Sequence, residues 1–298
     1  MKLKLFLLFL FCFFALVNLA RYSSPSPQAN QPQTSLADYS HPSLPQTKNA
    51  PPPALSSQNY IVLDTATNTV LLSQNPRQQI FPASLTKLAS AITALNIYSL
   101  DEVVTINQDY TEGKIMGLSV GEKISVRSLV YALLVHSAND AALALAHHHP
   151  QDLSGFVAQM NLMAQKYQLT DTHFVNPDGI HHPGHYSTVY DLSQLGRLAI
   201  KNPIVLDTVK KQKLTVTSID QTISHYLEST NELLGLVPQI EGLKTGWTPE
   251  AGGCFVALIN LDGHYLISVV AQSEDRFADT RLLLDWAKAN ITWVPYQP

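Results

Sequence analysis

The sequence predicts an α+β fold, a mixed α/β sandwich in which an antiparallel sheet is flanked by terminal helices and carries an inserted helical subdomain. Two observations carry this. Strand patterns sit towards both ends of the body: YIVLDTATNTVLLSQN, from Tyr60, gives two short apolar runs around the turn-rich Thr65 to Thr69, and GCFVALINLDGHYLISVVAQS, from Gly253, gives two more around Asp262 and Gly263. Between them, as far as Ile200, the apolar residues recur with helical spacing. Strands outside and helices inside place a helical block within a sheet, and the cleft between the two parts is the natural position for a site.

The chain opens with MKLKLFLLFLFCFFALVNLA, in which two lysines precede an unbroken apolar stretch from Leu5 to Val17. This is the layout of an export signal. Residues 1–20 are expected to be either a cleaved signal peptide or a retained N-terminal membrane anchor, because Asn18 and Ala20 make a poor cleavage pair while the apolar stretch is short for a spanning helix. Cys12 lacks the preceding small residues of a lipid-attachment site. Residues 21–58 hold 8 of the chain's 18 prolines and almost no aliphatic side chains, which predicts a disordered Pro/Ser/Gln-rich linker with a reach of roughly 30 Å as a coil. Residues 59–298 remain, about 240 positions, enough for one large domain or two intimate subdomains.

Within that body, Phe156, Met160, Met163 and Tyr167 form one helical stripe, and Thr188 with Asp191 has the form of a capping box ahead of Leu192, Leu195 and Leu198. RLLLDWAKA closes the body with a helix. About nine residues follow Ala289, so the expected membrane tether is the N-terminal segment.

Composition excludes several classes of function. With 45% hydrophobic and 14% charged residues and a formal net charge of -4, the chain is a globular body with no basic stripe for nucleic acid. Outside the export segment the only cysteine is Cys254, so the body is held by packing and not by an internal disulfide.

The chemistry begins at FPASLTKLAS, residues 81–90. Pro82 and Ser84 are helix-starting residues, so a helix is expected from about Ser84, with Lys87 three positions on and on the same face. Leu85, Leu88, Ile92 and Leu95 keep the helical repeat while Ala89, Ala91 and Ala94 fill the other faces, which predicts a helix surrounded by protein. A lysine there is costly unless it is used. Two further short signals occur: Ser137-Ala138-Asn139, after the apolar run LVYALLV, and Lys244-Thr245-Gly246, just ahead of the second strand region. Each alone reads equally well as a helix cap, an interhelix turn or a strand-end charge.

In this order and setting the three signals resemble those of the serine-type D-alanyl-D-alanine carboxypeptidases, low-molecular-weight penicillin-binding proteins with a β-lactamase/transpeptidase-like fold. The similarity runs from about Tyr60 to Ala289 and includes HSANDAALALA, FVNPDGI at 174–180, HYSTVYDLSQL at 185–195 and STNELLG at 229–235. It implies catalytic Ser84, Lys87, Ser137, Asn139 and Lys244. Ser84 would be the nucleophile and Lys87 its base, Ser137 would pass a proton to the leaving group, and Asn139 would orient Lys87 and the substrate amide. A base role requires the Lys87 pKa to fall from about 10.4 towards 7 or 8, through burial and a second cation expected from Lys244. Thr245, Gly246, Trp247 and Thr248 would bind substrate. The missing side chain of Gly246 would let a substrate strand lie against that edge, the two threonine hydroxyls would meet a terminal carboxylate, and the backbone N–H groups of Ser84 and Trp247 would form an oxyanion hole.

The implied partners are peptidoglycan stem peptides, with β-lactams as covalent inhibitors, and no cofactor. A D,D-endopeptidase acting on cross-links would use the same machinery. A β-lactamase is disfavoured by the absence of an E-x-x-L-N segment, and a non-catalytic β-lactam-sensing module by the presence of every expected side chain. His147 to His149 and His181, His182 and His185 could suggest a metal, but successive helix residues point about 100° apart and no HExxH pattern exists, so no metal site is expected. Phe174 to Ile180 is expected to be a structural turn.

Overall fold

The computed structural model describes residues 42–295. In chain order it contains strands β1 (Leu44–Thr47), β2 (Asn59–Asp64) and β3 (Val70–Gln74), then a single 3-10 turn (Ala83–Leu85) leading into helix α1 (Thr86–Ile97). Next come β4 (Val103–Thr105), β5 (Lys123–Ser125), α2 (Val126–Tyr131), a π-helical turn (Ala132–His136), α3 (Asn139–His147), α4 (Asp152–Lys166), α5 (Val189–Ala199) and α6 (Pro203–Thr208). The chain finishes with β6 (Lys213–Thr217), β7 (Ser224–Glu228), β8 (Ile240–Thr248), β9 (Gly252–Leu261), β10 (His264–Ser273), α7 (Arg276–Asn290) and β11 (Ile291–Val294).

The central sheet has the order β3-β2-β10-β9-β8, antiparallel throughout, so β8 lies at an edge. Both expected hairpins form. At Asp262 and Gly263 both residues take positive φ, as a two-residue hairpin turn requires, and in the first hairpin Asp64 accepts the backbone N–H of Thr67 while Asn68 takes positive φ. Strand alternation divides the core. Ile61, Val256, Leu258, Ile267 and Val269 face the helical block, and Tyr60, Val62, Phe255, Ala257, Leu266 and Val270 face Leu283, Leu284, Trp286 and Ala287 of α7. On the helical side α5 lies across β10, β2 and β9, and α1 runs behind it, buried from Thr86 to Ala94. The cap of α5 is as expected on one side only. Thr188 Oγ1 accepts the Asp191 N–H at 3.0 Å, but the Asp191 carboxylate takes the Asp171 N–H and the Thr172 hydroxyl instead of reaching back.

Two expectations about organisation are corrected. The linker was expected to continue to Gln58, yet β1 pairs with β11 from Leu44↔Val294 to Thr47↔Ile291, and Trp286 Nε1 donates to the Pro51 carbonyl at 3.0 Å. Asp279 gathers the N–H groups of Ser56 and Ser57 and the hydroxyls of Ser56 and Ser273. A proline-rich stretch with few aliphatic side chains still has backbone donors and serine hydroxyls, and a buried carboxylate collects them. The folded body therefore includes residues 44–58. The expected export segment and the first part of the expected linker, residues 1–41, lie outside the described residues. Second, the helical pattern does not end at Ile200 but continues into α6 and is followed by an unexpected β6–β7 ribbon. The fold class is as expected, with α7 covering one face of the sheet and the inserted helical block the other. Among the described residues no helix is long and apolar enough to cross a membrane.

Candidate active site

Ser84 does not begin the α-helix. It sits in the 3-10 turn, Pro82 precedes that turn, and no side chain caps it, so the Ser84 hydroxyl is not consumed as a cap. Ala83, at φ 47°, is in the left-handed region, a backbone conformation that non-glycine residues adopt at a cost and that concentrates at functional sites. Lys87, in the first turn of α1, is fully buried. Its Nζ lies 2.9 Å from Ser84 Oγ, 2.7 Å from Asn139 Oδ1 and 2.6 Å from the Asp178 carbonyl oxygen.

These three contacts have a chemical consequence. A neutral lysine amine carries two hydrogens and one lone pair. Asn139 Oδ1 and the Asp178 carbonyl can only accept, so they take the two hydrogens and leave the lone pair for the Ser84 hydroxyl. The Asn139 side chain is fixed in this sense because its Nδ2 donates to the Glu112 carbonyl at 3.0 Å. Burial lowers the Lys87 pKa to about 8, against the opposing pull of Asp178 and Asp140.

The second motif is positioned by an irregularity. The apolar run 129–135 leaves α2 through the π-helical turn, and Ser137 then adopts φ 63°, reversing the chain before α3 starts at Asn139. That corner brings Ser137 Oγ to 2.8 Å from Lys244 Nζ. Lys244 is 1% exposed and also donates to the Thr245 carbonyl at 2.9 Å. Its pKa is lowered well below the ordinary lysine value, first by burial and then by Lys87, Lys114 and Arg276. The expected direction of coupling is therefore corrected: burial alone depresses Lys87, while Lys87 helps to depress Lys244.

The remaining expected residues lie on β8. A Cβ on Gly246 would stand 3.0 Å from the Ser84 backbone N and 3.2 Å from Leu85 N, so glycine leaves room for the 3-10 turn to pack onto the strand. This differs from the expected reason, an open edge for substrate. Thr245 Oγ1 is hydrogen-bonded to Thr230 Oγ1 at 2.6 Å, whereas Thr248 Oγ1 accepts the Ala251 N–H and shapes the β8–β9 turn. Trp247 is 61% exposed on the edge strand.

Sequence reasoning missed several groups that build this site. Asp178 supplies a backbone carbonyl, which no residue type can announce; the FVNPDGI stretch was expected to be only a turn, but Gly179, at φ 86°, packs so closely that a Cβ would overlap the Ala83 carbonyl. Asp140, fully buried next to Asn139, accepts the N–H groups of Met116, Gly117 and Leu118 and so fastens the 111–118 loop against Asn139. Arg276 begins α7, where a Cβ on Gly253, the cross-strand partner of Trp247, would lie 3.4 Å from the Arg276 Cβ. Among the described residues its guanidinium has no carboxylate within 4.0 Å, and its buried Nε has no hydrogen-bond partner.

Five of the six histidines singled out have local hydrogen-bonding partners, while the buried Nδ1 of His181 has none among the described residues. His147 pairs with Asp152, His148 with Glu102 at 2.8 Å, and His149 Nδ1 accepts the Gln151 N–H. His185, with its pKa lowered by burial to about 4, contacts Thr86 Oγ1 at 2.9 Å. Among the described residues no three of His, Cys, Asp or Glu cluster as a metal site would need.

Residues 46–275 match the model of the peptidase S11 family, described as D-alanyl-D-alanine carboxypeptidase. A D-alanyl-D-alanine carboxypeptidase of Salmonella typhimurium, DacD, is 35% identical over 82% of this chain and 65% of its own length. DacD of Escherichia coli is 33% identical over 82% of this chain and 66% of its own length, so the chain spans just under two thirds of both relatives. The crystal structure of the Streptomyces K15 DD-transpeptidase superimposes with a TM-score of 0.76 and 28% identity, covering 80% of this chain and 100% of that one.

Proposed function

The chain belongs to the S11 family of D-alanyl-D-alanine carboxypeptidases, and from that premise we propose that it is a serine D,D-carboxypeptidase that removes the terminal D-alanine of peptidoglycan stem peptides. The observation that carries the reading is the Lys87 amine, 2.9 Å from Ser84 Oγ with both of its hydrogens directed to other acceptors. Lys87 takes the Ser84 proton as Oγ adds to the carbonyl carbon of the penultimate residue. The N–H groups of Ser84 and Trp247 receive the oxyanion. As the C–N bond breaks, the proton reaches the departing amine through Ser137, which Lys244 holds in place, and free D-alanine leaves. Water then hydrolyses the acyl-serine, with Lys87 accepting its proton.

Thr245 and Arg276 bind the terminal carboxylate. Support for Arg276 is a guanidinium that lies over the Phe277 ring with its buried Nε unbonded, and whose charge reaches Lys244. Residues 1–20 direct export and either leave as a signal peptide or remain as the anchor, with the stretch before Leu44 as spacer; the two lysines and the apolar run from Leu5 support this.

The test is the full chain with a D-Ala-D-Ala peptide and, separately, with a penicillin. Release of free D-alanine, and a penicilloyl adduct on Ser84 that persists for minutes, are expected. Cleavage of cross-linked dimers only would make it an endopeptidase, and rapid steady hydrolysis of penicillin would make it a β-lactamase.

A further inference from the structure

The cleft is more cationic than a chain of net charge -4 suggests. Lys87 and Lys244 are buried in it, Arg276 begins α7 beside Gly253 of β9, and Lys114 lies in the 111–118 loop held against Asn139. The position of Lys114 is fixed by its backbone: its carbonyl accepts the Asn139 N–H at 2.7 Å, and the neighbouring Glu112 carbonyl accepts Asn139 Nδ2. Asp140 holds the rest of that loop through three N–H groups. The Lys114 side chain is therefore carried on a pinned backbone beside the Ser137 corner and not on a free loop.

Its ammonium has no carboxylate within 4.0 Å among the described residues. Glu228 on β7 is the carboxylate whose field it feels, and Glu228 is already paired with Lys213 at 3.0 Å. The Lys114 charge reaches Lys244 and His136, the residue preceding Ser137, and lowers the pKa of both. It is absent from the charges that act on Lys87. The Lys114 carbonyl holds Asn139, two residues after Ser137, and Ser137 Oγ is 2.8 Å from Lys244 Nζ, so Lys114 lies at the corner where Ser137 and Lys244 would meet the departing residue.

We propose that Lys114 is a specificity-determining residue for the departing residue, an exposed cation that, together with Arg276, attracts and holds the free carboxylate of the substrate's C-terminus. This rests on the D,D-peptidase reading and deepens it. Two cations whose charges both reach Lys244 focus the field on that end of the cleft, so an anionic terminus is drawn in with its scissile bond towards Ser84. A substrate whose terminus is an uncharged amide gains nothing from either cation.

The experiment compares one D-Ala-D-Ala peptide as the free acid and as the C-terminal carboxamide, using the full chain and the variants Lys114→Met and Lys114→Arg. Because the pair is exposed, the expected change is modest: Lys114→Met lowers the acid-to-amide ratio of kcat/KM by about two- to fivefold, chiefly through KM, and Lys114→Arg restores most of it. The wild-type preference for the acid also shrinks as salt rises, since an exposed charge is screened within about 10 Å at 0.1 M. The Lys114 carbonyl bond to Asn139 survives either substitution, and thermal melting checks that it has. An acid-to-amide ratio in Lys114→Met equal to that of the wild type overturns the Lys114 assignment and leaves the peptidase reading standing. Failure of the wild type to cleave either peptide overturns both.

Discussion

Raising the pH from 6 to 9 should accelerate acylation of Ser84 by a penicillin about ninetyfold, and the structure sets both the size and the shape of that increase. Only neutral Lys87 can take the serine proton. With its pKa lowered by burial to about 8, roughly one molecule in a hundred carries neutral Lys87 at pH 6, one in eleven at pH 7 and nine in ten at pH 9. An ordinary lysine would be neutral in only about one molecule in three thousand at pH 7. The rate constant should therefore climb tenfold per pH unit at first, bend near pH 8 and level off above it. The assay is stopped-time acylation followed by intact mass, with Ser84→Ala as the blank. Asp140 provides an internal control, because its carboxylate raises the Lys87 pKa; Asp140→Asn should move the bend to lower pH. A rate that is level from pH 6 to 9 would refute the reasoning and remove Lys87 from the base role.

Three further outcomes are expected. Because the Lys87 pKa is lower in the folded protein (about 8) than in the unfolded chain (10.5), the folded state binds fewer protons between those values, and wild-type stability should rise by roughly 3 kcal/mol across that window. Denaturant titrations at pH 7 and pH 10 should show Lys87→Met lacking this rise, and equal slopes for the two proteins would contradict it. Asp140→Asn should cost about 1.5–3 kcal/mol in stability, since an amide oxygen cannot replace a carboxylate that accepts three loop N–H groups, and chemical denaturation reads this directly. Gly179→Ala should reduce penicillin acylation at least tenfold although Gly179 lies in none of the three motifs, because its Cβ would collide with the Ala83 carbonyl and displace the Ser84 turn; normal acylation of that variant would show that the turn can yield.

The side chains proposed to act were the part of the candidate site that the sequence marked most plainly. Ser84, Lys87, Ser137, Asn139 and Lys244 stand in short fixed patterns, and the structure brings them together. What was not legible depends on backbone or on distant pairing. The Asp178 carbonyl could come from any residue, and the left-handed Ser137 corner follows a π-helical turn that leaves the apolar pattern of 129–135 unchanged. The reason for Gly246 was misread because the crowding comes from a turn more than 150 residues earlier in the chain. Residues 44–58 looked like linker because their partners, Asp279, Trp286 and β11, lie more than 200 residues away. The β6–β7 ribbon, with its exposed alternate positions, had too little apolar signal to stand out against the helical block.

The β1–β11 ribbon also gives the molecule a mechanical property. A pull transmitted from residues before Pro42 enters the body at Leu44 and meets a ladder only four residues long. Behind it lies the knot of Ser56 and Ser57 on Asp279, and only then the load reaches β2, an interior strand clamped between β3 and β10. The short ladder is the weakest link in that series, so it yields first and slackens the line by releasing a few residues. Ser84, Lys87 and Lys244 lie beyond the knot, and tension strong enough to strip β1 would leave their distances to one another unaltered.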